Sequence, residues 1–213
     1  MEVTCFDYER IVVLHIQTMD EMGDTVVKKL VAEIMGKWSN IILTNKDDVI
    51  LDAIKHVDEE VNRVREIMPA RPYRMPPQQN KTLIDDFDPG AFTEQQGKLS
   101  CEKTLLEYIK GFSPLLSREV CYRGNIDPKK PFSACTPLEK ARLAEEAERI
   151  KNEIKKGQYA FCIAYTPDDP PSPLDFHCFL LTQMASLKEF PSANEMLDEF
   201  FTDKDKSNRL VQK

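Results

Sequence analysis

The chain has 213 residues, 36 acidic against 29 basic side chains, a net charge of −7, and 41% hydrophobic and 31% charged residues. That length supports one or two domains with real cores, and the balance is that of a soluble globular protein, not of a disordered one. The acidic total excludes a protein that coats nucleic acid without selectivity, because phosphate binding needs clustered cations, yet it leaves room for a local basic face.

Residues 7 to 57 read as β-rich. Arg10 to Gln17, Lys28 to Met35, Asn40 to Thr44 and Val49 to Lys55 mix β-branched residues with polar alternation and end at turn residues. Gly23 lies in the first connection, Gly36-Lys37-Trp38-Ser39 in the second, and Asn45-Lys46-Asp47-Asp48 joins the last two runs as a hairpin turn. An antiparallel meander is the simplest arrangement. Four prolines between Pro69 and Pro77 then predict an extended crossing segment, since proline suits neither a helix interior nor a central strand. Asp85 to Gly90 is turn chemistry and marks the expected boundary of a first domain, 1–88.

From 89 to 190 the pattern is helical with a β-hairpin. Ser100 is placed to cap a helix running to Gly111, and Ser113-Pro114 opens a second that reaches about Arg123, a tight helical hairpin. Thr136-Pro137-Leu138-Glu139 is a capping box, followed by an apolar stripe of Leu143, Ala147, Ile150 and Ile154. Tyr159 to Tyr165 and Asp175 to Leu181 are strand candidates joined by the proline-rich loop 167–173. Ser192 to Glu195 is a second capping box, starting a helix that occupies 191–213 and finds no stop signal. Met1 leads almost at once into strand-like sequence, so the chain reads as a piece of a longer protein. The fold class expected is α+β.

Met1-Glu2-Val3-Thr4 has neither a basic nor an extended apolar leader segment, and the longest apolar run, Ile11 to Ile16, is broken by His15. A cytoplasmic protein without a membrane partner is expected. Its six cysteines stand singly, with no histidine at ligand spacing, which predicts reduced thiols and no zinc; no cofactor is expected. The three histidines have no recognisable nucleophile motif around them, so no enzyme is indicated.

Two places suit nucleic acid. Glu9-Arg10 stands at the mouth of a strand, where a guanidinium could meet a phosphate, although a solvated strand end is the plain alternative. The stretch from Val61 to Ile84 holds Arg63, Arg65, Arg71, Arg74 and Lys81 against the single acid Glu66, with Tyr73 among them. Arginines interleaved with an aromatic suit an RNA backbone and an exposed base. The alternative is that they lie over the β core or pair with acids near Glu59 and Glu60. Gly111-Phe112-Ser113-Pro114 resembles a helix-hairpin-helix turn, with Gly111 and Ser113 as phosphate-contact candidates.

The hairpin region 33–57, Arg71-Pro72-Tyr73 with the prolines after it, and Gly111-Phe112-Ser113-Pro114-Leu115-Leu116-Ser117-Arg118-Glu119 together resemble the NFACT family of ribosome-associated quality-control proteins. The family has long been labelled fibronectin-binding protein A in bacteria. The resemblance implies a first domain like the N-terminal domain of formamidopyrimidine-DNA glycosylases, then a helix-hairpin-helix domain and the entry to a coiled coil. No glycosylase activity comes with it, because Met1-Glu2 offers no N-terminal proline. It implies binding to a large ribosomal subunit holding peptidyl-tRNA and recruitment of charged tRNA, alanyl-tRNA in bacteria, for untemplated tailing of the stalled peptide. The family's aspartate-arginine pair implicated in holding tRNA falls on Glu9 and Arg10, with Arg10 matching and Glu9 one methylene longer. A fibronectin-binding adhesin is the alternative that the older label implies.

Overall fold

Alternation of aliphatic and polar residues makes the first strands, and their burial follows it. The computed structural model describes residues 2–6, 8–60, 63–169 and 171–211, the last five without their side chains. They divide into two compact units, Met1–Asn80 and Lys81–Lys213. In the first, β1 (Glu2–Cys5), β2 (Ile11–Met19), β3 (Thr25–Glu33), β4 (Asn40–Asn45) and β5 (Ile50–Ala53) form an antiparallel meander in that order. One face buries Ile11, Val13, Val31, Ile42 and Ile50 with Ile67. The other carries Leu14, Leu30 and Leu43 side by side, half-buried.

Turn chemistry fixes the register. The Asn45 side chain accepts the amides of Asp47 (3.0 Å) and Val49 (2.9 Å), and Asp48 takes the left-handed conformation at φ 60° that closes the hairpin. Asp20 does the same between β2 and β3, accepting the amides of Met22 and Asp24 at 2.9 Å. The proline-rich segment runs beside β5 through the isolated bridges Val57↔Ile67 and Val49↔Pro72, because prolines 69 and 72 have no N–H for a continuous ladder. β1, ahead of the expected strands, pairs Glu2 with His15 and Cys5 with Val12.

The second unit starts before the expected boundary at residue 88. Ile84 and Phe87 pack with Phe92 of α1 (Pro89–Thr93) and with Phe132, so the acidic turn carries core residues of the helical unit and does not divide two domains. The strand pair β6 (Thr82–Leu83) and β7 (Ile109–Lys110) is parallel, and it ends α2 (Cys101–Tyr108) sooner than its sequence pattern suggested. Ser100 occupies the cap position of α2 without a capping bond from its hydroxyl; the carbonyls of Lys130 and Pro128 accept the first amides instead. α3 (Pro114–Arg123) is capped by Ser113. α4 (Pro137–Lys155) has the full Thr136–Glu139 capping box and buries Leu143, Ala147 and Ile150.

The last layer is a three-stranded sheet in the order β10-β8-β9: β8 (Phe161–Tyr165), β9 (Pro173–His177) and β10 (Leu187–Phe190). Cys162 and Ala164 face Leu115 and Leu181, while Ile163 faces Met196 and Phe200 of α5 (Ala193–Val211). β9 starts and stops earlier than expected because Phe179 and Leu181 turn inward to the core. At the start of α5 the Ser192 hydroxyl accepts the Glu195 amide (3.2 Å), and the two side chains bond each other. The architecture is thus α+β, an antiparallel sheet with several helices.

Candidate nucleic-acid interface

The antiparallel register brings one end of the first sheet together. Ile11 opposes Glu33, Glu33 opposes Asn40, and Ile42 opposes Ala53, so the start of β2, the end of β3, the start of β4 and the end of β5 share an edge. Arg10 is held there by the Ile34 amide, which donates to its carbonyl at 2.8 Å. Its side chain is exposed, and Glu9 beside it is half-buried. Asn40 ties in Lys55, accepting its amide (2.9 Å) and donating to its carbonyl (2.8 Å).

Glu33 is the buried charge of this end. It lies on the core face with Val31, and its carboxylate is met by Arg65 in a two-pronged pair, one prong at 2.9 Å, and by the Tyr73 hydroxyl at 2.8 Å. The Arg65 guanidinium also stacks over the Tyr73 ring, 5.0 Å from its centre, and donates to the Arg74 carbonyl. Burial first, then the bond to Glu33, raises the Tyr73 phenol above its ordinary range. Arg65 and Tyr73, expected to touch tRNA, therefore have their polar groups committed inside the fold, and they fasten the segment 63–75 to β3. The partner acid is Glu33, not the Glu59 and Glu60 neighbourhood.

Arg63, Arg71 and Arg74 are exposed and line one recess of about 220 Å³ with Glu59 and Glu66. Arg71 pairs with Glu66 at 3.1 Å, which offsets part of its charge. Lys81 belongs to the other unit, where it donates to the Leu106 carbonyl at 2.8 Å. The cationic stretch of the sequence is thus a smaller cluster of three guanidinium groups, flanked by Val64 and Pro72. Lys37, Trp38 and Lys55, which sequence reading passed over, come to the same sheet end. The signal for Arg65 was present: a glutamate in phase with Val31 on a strand's buried face demands a cation.

Gly111 has φ 96°, as its turn requires. The Ser113 oxygen accepts the Leu116 amide at 3.1 Å, and Pro114 has no N–H, so this helix start offers a phosphate fewer donors than an open one. His15 bonds Thr4 (3.1 Å), His56 bonds Asp52 (2.9 Å), and His177 accepts the Phe179 amide (3.1 Å). Burial lowers the His177 pKa. All six cysteines are free thiols, Cys5 exposed and four of the others buried. Among the described residues no group of three His, Cys, Asp or Glu side chains is arranged to hold a metal ion, and no helix is long and apolar enough to cross a membrane.

The chain is 32% identical over 213 residues to the Rqc2 homolog RqcH of Bacillus subtilis, covering 96% of this chain and 34% of that protein. With the Rqc2 homolog RqcH of Streptococcus suis it shares 28% identity over 216 residues, covering 99% and 34%. It spans about a third of the length of these curated relatives. The crystal structure of the fibrinogen binding protein from Staphylococcus aureus is similar with a TM-score of 0.73 at 25% identity, covering 94% of this chain and 69% of that one. The family described as NFACT N-terminal and middle domains matches residues 1–213, and the chain therefore belongs to the NFACT family.

Proposed function

We propose that this chain is the tRNA-holding part of a ribosome-associated quality-control factor. The observation that carries the reading is the gathering of exposed Arg63, Arg71 and Arg74 in one recess, on a segment that Arg65 ties to Glu33 at the end of β3, the strand end to which the backbone of exposed Arg10 is also bonded. Three or four guanidinium groups on a shaped surface give an anionic protein a local, salt-sensitive grip on phosphates. Arg65 and Tyr73 position that surface, and Glu9 stands beside Arg10 just ahead of β2. The whole protein, by its family, binds a large ribosomal subunit with peptidyl-tRNA and recruits charged tRNA, alanyl-tRNA in bacteria, for untemplated tailing of the stalled peptide. The ribosome performs the peptide transfer, so the factor is a cytoplasmic positioning protein and not an enzyme. In this reading α2 and α3 form the helix-hairpin-helix element, the first sheet is the glycosylase-like domain, and α5 leads toward a coiled coil.

The test is a filter-binding titration of the chain with total tRNA across a salt series. Arg10→Ala and the triple change Arg63→Ala, Arg71→Ala, Arg74→Ala each weaken binding, and each phosphate left without its cation lowers the log–log salt slope by about one. Unchanged affinity and slope in both variants overturn the proposed face. The name of the Staphylococcus aureus protein favours a second reading, a matrix-binding adhesin. Surface proteolysis of intact cells decides it, since an adhesin is cleaved there and a cytoplasmic factor is spared.

A further inference from the structure

Two sulfur atoms meet in the core of the second unit. The Cys101 and Cys135 thiols, 34 positions apart in sequence, lie in contact at 3.3 Å within the cluster that includes Leu105, Val120 and Phe132. The backbone around them is laced together independently of the sulfurs. At the first turn of α2 the Cys101 amide donates to the Lys130 carbonyl (2.9 Å) and the Glu102 amide to the Pro128 carbonyl (3.1 Å). The Phe132 amide donates to the Leu99 carbonyl (2.9 Å), and the Cys135 amide closes its turn on the Phe132 carbonyl (3.1 Å). The segment 128–135 is thereby held against the start of α2. Shortening 3.3 Å to the disulfide length of about 2.05 Å is then a side-chain movement shared between two residues.

We propose that Cys101 and Cys135 are an oxidative cross-link site, at which hydrogen peroxide joins the two thiols in a reversible disulfide. The order of attack follows from burial. Cys135 is 8% exposed between exposed Ala134 and Thr136, whereas Cys101 is 0% exposed, so a small oxidant reaches Cys135 first. The Cys135 thiolate attacks one peroxide oxygen, the O–O bond breaks, and the departing hydroxide takes up a proton as water. The resulting sulfenic acid faces Cys101. The Cys101 sulfur then forms the S–S bond, the S–O bond breaks, and the hydroxide leaves with the Cys101 proton as a second water. Two thiols lose two electrons and two protons, and one peroxide becomes two waters. Burial raises the Cys101 pKa, which suits this thiol to the second step, where the leaving hydroxide collects its proton.

The bond closes a covalent ring over residues 101–135, which holds α2, β7 and α3. Closing the ring takes freedom from the unfolded chain, so the helical pair is stabilised against opening. A reducing compartment keeps the pair as thiols, and oxidative stress converts it, the usual role of a transient disulfide in such a compartment. The site belongs to the second unit and stands independently of the arginine recess in the first. Cys121 shares the same core and is the competing partner for Cys101.

The 213-residue chain is treated with hydrogen peroxide and unfolded in acid, its remaining thiols are alkylated, and its peptides are weighed. The expected product is the Cys101 peptide joined to the Cys135 peptide, two hydrogens lighter than the separate pair, and dithiothreitol releases it. Cys5→Ser removes the exposed thiol that can bridge two chains and leaves this product unchanged. In Cys135→Ala the Cys101 thiol survives the same treatment. In the oxidised parent the slowest-exchanging amides of α2 and α3 exchange roughly 30-fold to 1,000-fold more slowly than in the reduced chain. Free thiols at both positions, under a peroxide dose that oxidises Cys5, overturn the proposal. A bond from Cys101 to Cys121, a Cys135 sulfinic acid without a cross-link, or a bond that forms only in urea does the same. Exchange rates that match with and without the bond overturn the locking of the helical pair.

Discussion

The Arg65 guanidinium and the Glu33 carboxylate form a two-pronged pair across 32 positions of sequence, with only 9% and 2% of their side chains exposed. A charge so deeply placed is tolerated because its partner and the Tyr73 hydroxyl satisfy it together. The pair makes the proline-rich crossing segment part of the first unit. It also removes one arginine from the count available to RNA.

Arg65→Ala leaves the Glu33 carboxylate buried with Tyr73 as its remaining side-chain donor among the described residues. Urea unfolding of that variant is expected to show a loss of about 3–5 kcal/mol in the first unit. The paired replacement Glu33→Leu with Arg65→Met removes both charges, and its stability returns to near that of the parent. In the double variant the salt slope of tRNA binding stays at the parental value, because Arg65 gives no charge to the phosphates. A reduced slope would return Arg65 to the RNA-binding surface.

Glu119 in the second unit is fully buried on α3 and accepts from Arg123 (2.8 Å), from the Thr182 hydroxyl (2.6 Å) and amide (2.9 Å), and from the Gln183 amide (3.0 Å). Burial pushes its pKa up, and the bonds from Thr182, Arg123 and Gln183 together outweigh burial and leave it lowered. A carboxylate with a lowered folded pKa contributes stability that is complete above the unfolded value of about 4.3 and lost as pH falls through the folded one. Glu119→Gln is therefore expected to cost about 3 kcal/mol at pH 7. Thermal unfolding followed down from pH 6 brings the two melting curves together in acid. Parallel curves would show that Glu119 is not the titrating group.

Thiol reactivity tests the second core. Cys101 and Cys135 lie 3.3 Å apart, sulfur to sulfur, and burial followed by the contact with Cys135 raises the Cys101 pKa. Burial also pushes Cys121 up to about 12. Since the thiolate is the reactive form, an aromatic disulfide reagent at pH 8 should label exposed Cys5 quickly and Cys101, Cys121 and Cys162 only after denaturation. Fast labelling of Cys121 in the native chain would contradict the packing of α3.

Much of this arrangement was legible where a local rule and the global fold agree. Asn45 to Asp48 announced its hairpin because an Asx turn is complete within five residues, and Thr136 with Glu139 announced α4 for the same reason. β10 escaped notice because Leu187-Lys188-Glu189-Phe190 has two charged residues at its centre and owes its strand to pairing with β8. The boundary near 88 was misplaced because Asp85 and Asp86 write a turn, while Ile84 and Phe87 beside them obey a core assembled mostly from later residues. At the candidate interface, charge counted along the sequence overstated the cluster. Glu33 and Glu66 take up part of it, and only the tertiary fold brings Glu33 to Arg65.

Ala70 occupies the left-handed region at φ 65°, between Pro69 and Arg71, where its amide donates to the Ile50 carbonyl at 2.9 Å. An L-residue with a Cβ loses about 1–2 kcal/mol there, whereas glycine loses none of it. Glycine in turn gives the unfolded chain extra freedom worth about 0.4–1 kcal/mol. The first effect is the larger, so Ala70→Gly is expected to stabilise the first unit by roughly 0.5–1 kcal/mol in urea unfolding. Ala70→Val adds a branch at the same strained position and shifts the midpoint the other way. Ala70→Pro is worse than either, because proline cannot adopt a positive φ and removes the amide that Ile50 accepts. A destabilised Ala70→Gly would mean that the turn before Arg71 is held by its methyl group and not merely tolerant of it.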